Sequence, residues 1–130
     1  MSLKGKAAVT GIGETRYSRQ SGKSVMSLQM EASLTAIRDA GLDPKDIDGV
    51  IVYGSMAVVA EDFITNFGIA DLKFSAVTPL GGASAVASVQ CAAAAVASGI
   101  CNHVLIPIGR NGSSGVGGRI GSRVREMPQF

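Results

Sequence analysis

Residues 78–99 have the sequence TPLGGASAVASVQCAAAAVASG. This order predicts the end of a strand, a glycine turn, and then a helix made almost wholly of small apolar residues. The free backbone N–H groups at the start of such a helix point outward, and many α/β enzymes hold a nucleophile or an anion there. The turn offers Gly81 and Gly82. The stretch therefore predicts an α/β fold with a candidate binding site at the start of the helix.

Strands and helices are predicted to alternate on both sides of this stretch. The predicted strands cover residues 6–12 and begin near Val50, Lys73 and His103, and the predicted helices run from Ser24 to Gly41, over 58–67 and over 83–97. Such alternation is typical of right-handed βαβ crossovers. We therefore expect a mostly parallel sheet with helices on both faces.

The helix predicted over 83–97 is apolar nearly all round. A helix that lies on one face of a sheet needs only one apolar stripe. We therefore expect this alanine-rich helix to be buried between two layers, and a single four-stranded sheet cannot supply both. A second domain or a partner subunit is expected to provide the other cover.

Length and charge indicate one domain with no nucleic-acid surface. The chain has 130 residues, which favours a single core, and its net charge of +2 gives no preference for a polyanion. The arginines near the end of the chain are not interleaved with aromatic side chains, as single-strand-binding surfaces require. We expect a domain over residues 1–109, followed by a flexible loop or tail rich in glycine, serine and arginine over residues 110–130.

Metal, membrane and secretion signals are weak. Cys91 and Cys101 have no CxxC spacing and no histidine cluster beside them, so no metal site is expected. Serines interrupt the apolar run over 83–100, which favours a buried helix over a membrane span. The N-terminal residues lack a secretory apolar core. We expect a cytoplasmic protein with reduced cysteines and no membrane partner.

Two longer stretches resemble thiolase-like proteins. They are residues 11–54, GIGETRYSRQSGKSVMSLQMEASLTAIRDAGLDPKDIDGVIVYG, and residues 81–106, GGASAVASVQCAAAAVASGICNHVLI. Both are similar to the sterol-carrier-protein-X and lipid-transfer-protein branch, often labelled acetyl-CoA acetyltransferase. The resemblance implies the N-terminal half of a protein with two similar α/β halves. It also implies lipid metabolism, an acyl-CoA substrate and no separate cofactor.

The resemblance further implies where the site lies. In true thiolases the turn before the buried helix carries an acyl-accepting cysteine, and Gly82 occupies that position here. Branch members without this cysteine resemble aldolases that cleave a side-chain carbon–carbon bond with an OB-fold partner protein. Gly81, Gly82, Ala83 and Ser84 are then expected to bind the thioester. No catalytic residue is assigned in this chain, and its acid and base are expected beyond residue 130.

Three other side chains are weighed against a catalytic role. Cys91 lies nine residues after Gly82, too far along the helix to replace the missing cysteine, and is expected to act as a small buried hydrophobe. Ser84 has no visible base and is expected to satisfy backbone N–H groups. His103 is expected at the amino end of a strand, away from the edge where ligands collect.

Two functions remain open from the sequence. The first is acyltransferase or aldolase-type chemistry on acyl-CoA or steroid-CoA thioesters, with this chain inactive alone. The alternative is a non-catalytic subunit that binds acyl-CoA or lipid or serves a structural role. In either case we expect a homo-oligomer, or a thiolase-like partner chain, joined through the strand at residues 73–79.

Overall fold

The computed structural model describes residues 2–53 and 58–111. These residues form a three-stranded parallel sheet and three α-helices. The elements, in chain order, are α1 (Val25–Asp39), β1 (Gly49–Val52), α2 (Ala60–Phe67), β2 (Phe74–Val77), α3 (Ser84–Ala97) and β3 (Val104–Leu105). Strand β1 lies between β2 and β3 and pairs in parallel with both. The α/β class is confirmed. The domain over residues 1–109 stays a prediction, and the tail, from residue 112 on, lies outside the described residues.

Helix α1 begins and ends where the sequence predicts. The Ser24 side chain accepts a hydrogen bond from the N–H of Ser27 at 3.1 Å, which satisfies a free donor of the first turn. Gly41 follows the last turn with a φ of +70°, a conformation that favours glycine. A short 3₁₀ turn at Pro44–Asp46 then leads into β1.

Strand β1 is the centre of the core, because all four of its residues are buried. Val50 and Val52 share a hydrophobic cluster with Ile37 of α1 and Phe63 of α2. Ile51 alternates to the opposite face and is also fully buried. Helix α3 contacts β1 but contributes no residue to the first cluster, so we place α3 on the face of Ile51.

The strand expected over residues 6–12 is absent from the described structure. This segment has no strand partner and instead lies against α1. A Cβ atom on Gly11 would lie 2.2 Å from the carbonyl oxygen of Ala36, and the N–H of Ile12 donates to the Asp39 carboxylate at 2.9 Å. The prediction of a strand here is wrong because strand formation needs a neighbouring edge, which local sequence does not supply. Strand β3 is also shorter than expected.

Helix α3 is buried on one face rather than all round. Its buried residues, Ser84, Ser88, Ala92 and Ala95, recur at helical spacing. Val86 and Val89, on another face, are 75% and 48% exposed. The described residues cover only one side of the helix, which agrees with the expectation that this chain alone cannot supply both covers. The second cover stays a prediction.

Helix length bears on the membrane question. Across the two described ranges, no helix combines the length and apolar character that a membrane crossing requires. The cytoplasmic location stays a prediction.

Candidate functional site

The predicted site lies at the turn between β2 and α3, beyond the carboxyl end of β2. Gly81 adopts a φ of +61°, and the turn closes when the N–H of Ala83 donates to the Leu80 carbonyl at 3.2 Å. The N–H of Ser84 donates to the carbonyl of Gly81. Within residues 2–53 and 58–111, the N–H groups of Gly81 and Gly82 donate to no atom. Two adjacent backbone donors are therefore available to an oxygen from outside.

Neither steric crowding by the described residues nor backbone conformation requires glycine at residue 82. A Cβ atom placed on Gly82 would meet no atom of residues 2–53 and 58–111 within 4 Å, and the φ of Gly82 lies outside the left-handed region. Gly81, by contrast, needs glycine for its backbone conformation. Glycine commonly stands where a ligand or another backbone approaches closely. The absence of a side chain at residue 82 is thus consistent with a close approach by a group outside the described structure.

A chain of hydroxyl groups lies beneath the turn. The side-chain oxygens of Thr78 and Ser88 are 2.6 Å apart, and the Ser88 hydroxyl donates to the carbonyl oxygen of Ser84 at 2.8 Å. The Ser84 side chain accepts the N–H of Leu80 at 2.9 Å. Ser84 and Ser88 are both almost fully buried. These bonds join the end of β2, the turn and the first two turns of α3.

The structure separates the four predicted site residues into two groups. Gly81, Gly82 and Ala83 are exposed, whereas the Ser84 hydroxyl faces the Leu80 N–H in the interior. The prediction that Ser84 satisfies a backbone donor is confirmed. Substrate contact by the four residues stays a prediction, and Ser84 could take part in it only through its backbone or by holding the turn.

The cysteines and the histidine lie away from the turn. Cys91 is half-buried in α3, and Cys101 is buried before β3. Burial raises the pKa of the Cys101 thiol, and the nearby Asp48 carboxylate raises it further, outweighing the opposite effect of Lys73. The raised pKa favours the thiol form of Cys101 over the nucleophilic thiolate. His103 stands at the amino end of β3, as expected.

Cavities elsewhere do not enclose the turn. A cavity of about 340 Å³ lies between α1 and the loop that contains Arg16 and Lys23, and a second of about 270 Å³ also reaches Arg110. Both are open at the protein surface. Gly81 and Gly82 line neither of these two cavities, and both glycines are exposed in the described residues.

Two networks were missed by the sequence analysis. The hydroxyl chain has one local signal, because Ser84 and Ser88 are spaced one turn apart in a helix of alanine and valine. The second network surrounds Asp48, whose carboxylate accepts the backbone N–H groups of Asn102 and His103. Asp48 immediately precedes a predicted strand, but its partners lie more than fifty residues away and carry no local pattern.

The comparisons with known proteins give two close relatives. The chain is 42% identical over 127 residues to the steroid side-chain-cleaving aldolase of Thermomonospora curvata. This alignment covers 98% of this chain and 32% of that protein. It is also 40% identical over 126 residues to the 17-hydroxy-3-oxo-4-pregnene-20-carboxyl-CoA lyase of Mycobacterium tuberculosis. This second alignment covers 95% of this chain and 32% of that protein. No family model matches the sequence. The chain spans about a third of the length of these curated relatives.

A solved structure shows the same fold. It is the Ltp2-ChsH2(DUF35) aldolase, which matches with a TM-score of 0.84 and 43% identity over 88% of this chain and 30% of that one. At this identity and TM-score the likeness extends across most of this chain. It covers less than a third of the solved chain.

These findings correct the family prediction. The chain is similar to steroid side-chain-cleaving aldolases and lyases, so its identification as the N-terminal half of a thiolase-like acetyl-CoA acetyltransferase is wrong. The acyltransferase activity expected from that identification is corrected with it. The first stretch that carried the resemblance forms α1, the turn before β1, and β1, and it includes the core residues Ile37, Ile47 and Val50. The second stretch forms the glycine turn, α3 and β3. The core residues of the first stretch record packing and carry no information about the reaction.

Proposed function

We propose that the protein carrying this chain is a lyase that cleaves the side chain of a steroid-CoA thioester by a retro-aldol reaction. The similarity to an aldolase and a lyase across nearly the whole chain supports this proposal. The single structural observation that carries it is the pair of N–H donors at Gly81 and Gly82, which have no acceptor among the described residues, beside a Cβ position at residue 82 that those residues leave empty.

The name of the second relative defines a substrate whose chemistry fits such donors. A hydroxyl on C17 and a thioester carbonyl attached to C20 form a β-hydroxy thioester. In a retro-aldol cleavage the C17 hydroxyl loses its proton, a C17 ketone forms, and the C17–C20 bond breaks. The electron pair of that bond passes into a thioester enolate, and protonation at C20 then gives propionyl-CoA.

The turn is proposed to bind the thioester oxygen, where negative charge develops. Preorganised backbone donors stabilise such a charge more strongly in the transition state than in the ground state. Gly82 has no side chain to block the thioester, and it also cannot form an acyl-enzyme. A glycine at residue 82 is therefore compatible with a non-covalent aldol cleavage.

The acid and the base are not assigned to the described residues. The hydrogen-bond partners of the turn in those residues are hydroxyl and backbone groups, with no titratable side chain among them. We propose that both groups belong to the part of the protein that corresponds to the uncovered length of the relatives. This chain by itself is accordingly expected to show no turnover.

A partner chain is part of the proposal. The similar solved aldolase is a combination of Ltp2 and ChsH2(DUF35). In the described sheet β2 is an edge strand, and its residue Val77 is 54% exposed. Val86 and Val89 on α3 are also exposed. Exposed apolar patches of this kind mark interaction sites. We propose that the segment at residues 73–79 and the exposed face of α3 contact another chain or another part of the protein. The OB-fold identity of a partner stays a prediction.

Product analysis tests the function. The complete gene product, with its partner protein, is incubated with the CoA thioester of 17-hydroxy-3-oxo-4-pregnene-20-carboxylic acid, and the products are identified by mass spectrometry. We expect a 17-oxo steroid and propionyl-CoA in equal amounts. The matched control is the same thioester without the 17-hydroxyl group, which should not react. Binding of both thioesters without cleavage would contradict the lyase and favour the non-catalytic subunit.

A further inference from the structure

We infer that Thr78 and Ser88 are positioning residues that hold the turn at Gly81 and Gly82 in its oxygen-binding orientation. This inference rests on the proposed function and extends it to residues that do not contact the substrate. It starts from two buried serines, Ser84 and Ser88, on the covered face of a helix in which alanine would pack without desolvating a hydroxyl.

The directions of the hydrogen bonds follow from the number of protons. A serine hydroxyl carries one proton, and that of Ser88 is placed on the Ser84 carbonyl at 2.8 Å. Either hydroxyl could supply the proton of the 2.6 Å bond between Thr78 and Ser88. With the Ser88 proton on the Ser84 carbonyl, the donor of this bond is Thr78. The distance of 3.3 Å from the Thr78 hydroxyl to the Ser84 carbonyl is the weaker contact of the same group. Thr78 is therefore the donor that anchors the chain to the end of β2.

This chain of bonds closes the base of the turn. Thr78 follows the last residue of β2, and Ser84 is the first residue of α3, so bridging them fixes the two ends of the intervening loop. The Ser84 hydroxyl oxygen also accepts a hydrogen bond from the N–H of Leu80. The donors of the turn left without an acceptor among the described residues are those of Gly81 and Gly82.

The two glycines do not restrict their own backbone conformation, so the hydrogen bonds around the turn must hold it in place. Apart from their chain neighbours, no atom of the described residues lies within 4 Å of the Cβ positions of Gly81 and Gly82, so a side chain there would have no packing partner among them. Glycine also has the largest backbone freedom of any residue. Preorganisation of the two donors must come from hydrogen bonds, namely the backbone bonds that close the turn and the hydroxyl bonds beneath it. Because donor placement matters most when charge develops on the thioester oxygen, a loosened turn should lower kcat more than it raises KM.

The test compares isosteric and conservative substitutions at residue 78. Thr78→Val keeps the shape of the side chain and removes the donor, whereas Thr78→Ser keeps the donor. Ser98→Ala, at the exposed end of the same helix, is the matched control. Each variant is made in the complete gene product, and kcat, KM and the unfolding temperature are measured with the same steroid-CoA thioester.

We expect Thr78→Val to lower kcat at least tenfold with KM changed less than threefold. Thr78→Ser and Ser98→Ala should remain within about threefold of the parent protein. Equal losses for Thr78→Val and Thr78→Ser would overturn the inference. A Thr78→Val variant in which only KM changes would also overturn it. So would a fall in kcat that is fully explained by a smaller folded fraction of the variant.

A second measurement separates this inference from the proposed function. If the parent protein releases no 17-oxo steroid, the proposed function fails, and the positioning role is decided by the backbone ¹⁵N order parameters of Gly81 and Gly82. Lower order parameters in Thr78→Val and unchanged ones in Thr78→Ser would support it. Unchanged values in both variants would overturn it.

Discussion

The carboxylate of Asp48 lies 2.8 Å from the backbone nitrogen of His103 and accepts its hydrogen bond. The same carboxylate accepts the N–H of Asn102, and Lys73 forms an ion pair with it at 3.5 Å. Residues that precede all three strands therefore meet at one buried carboxylate. Burial alone raises the pKa of Asp48, but the three hydrogen bonds from Asn102 and His103, together with the Lys73 charge, outweigh it and hold this pKa below its ordinary value.

Asp48→Asn should destabilise the fold in a pH-dependent way. Because the pKa of Asp48 is lowered on folding, its stabilising effect is fully present above the unfolded value of about 4 and is lost as pH falls through the folded value. At pH 7 we expect the substitution to lower the free energy of unfolding by about 2 kcal/mol, since it replaces a charged acceptor of backbone donors. Urea unfolding at pH 7 and pH 2.5 measures this.

The exposed Asp71 provides the control for that experiment. Asp71→Asn should change the free energy of unfolding by less than about 0.5 kcal/mol at either pH, as is usual for surface substitutions. If Asp48→Asn lowered the free energy of unfolding equally at pH 2.5 and pH 7, that result would contradict an ionised Asp48 in the folded state.

Val86→Lys should disrupt assembly without unfolding the chain. Val86 is 75% exposed on α3, so a lysine there is solvated in the isolated chain but would place a charge in the proposed interface. We expect the variant to weaken association of the complete protein by tenfold or more in analytical ultracentrifugation, with an unchanged circular dichroism spectrum. Tyr17→Lys, at a loop residue that is 84% exposed, should leave association unchanged. Equal association constants for the two variants would remove α3 from the interface.

Cys91→Ala should retain activity. Cys91 lies in the middle of α3 and is only half-buried, and its sulfur takes part in no described bond to the turn. If no cysteine forms an acyl-enzyme, kcat and KM for the steroid-CoA thioester should stay within about twofold of the parent values. The expected loss of packing is small because alanine fits the same helix. A thousandfold fall in kcat, with the fold intact, would show that Cys91 is a nucleophile and that the reaction is covalent.

Local features of the fold were predicted correctly from the sequence. Ser24 and Gly41 bound α1, and Gly68 ends α2 with a φ of +65°, because capping and left-handed turns depend on adjacent residues. The strand expected over residues 6–12 failed for the opposite reason. Its hydrophobic residues match a strand, but a ladder needs a neighbouring edge, and Gly11 lies against α1 instead.

The candidate site was predictable only in part. The glycine turn and the start of α3 follow from the order of residues along the chain, and the structure places them where the sequence indicates. The bond between Thr78 and Ser88 joins a strand end to the second turn of a helix, so it depends on how the helix lies over the sheet. The exposure of Val86 likewise depends on what covers α3, which no local pattern encodes.

Gly82→Ala tests the central claim most directly, because the fold accommodates it and the proposed site does not. A Cβ atom at residue 82 meets nothing within 4 Å, and the backbone conformation suits alanine, so stability should be unchanged or rise by up to about 1 kcal/mol. In the complete protein with its partner, we predict that kcat/KM for the steroid-CoA thioester falls at least a hundredfold, since the methyl group occupies the approach to the two N–H donors. Unchanged kcat/KM in a stably folded Gly82→Ala variant would contradict binding of the thioester at this turn.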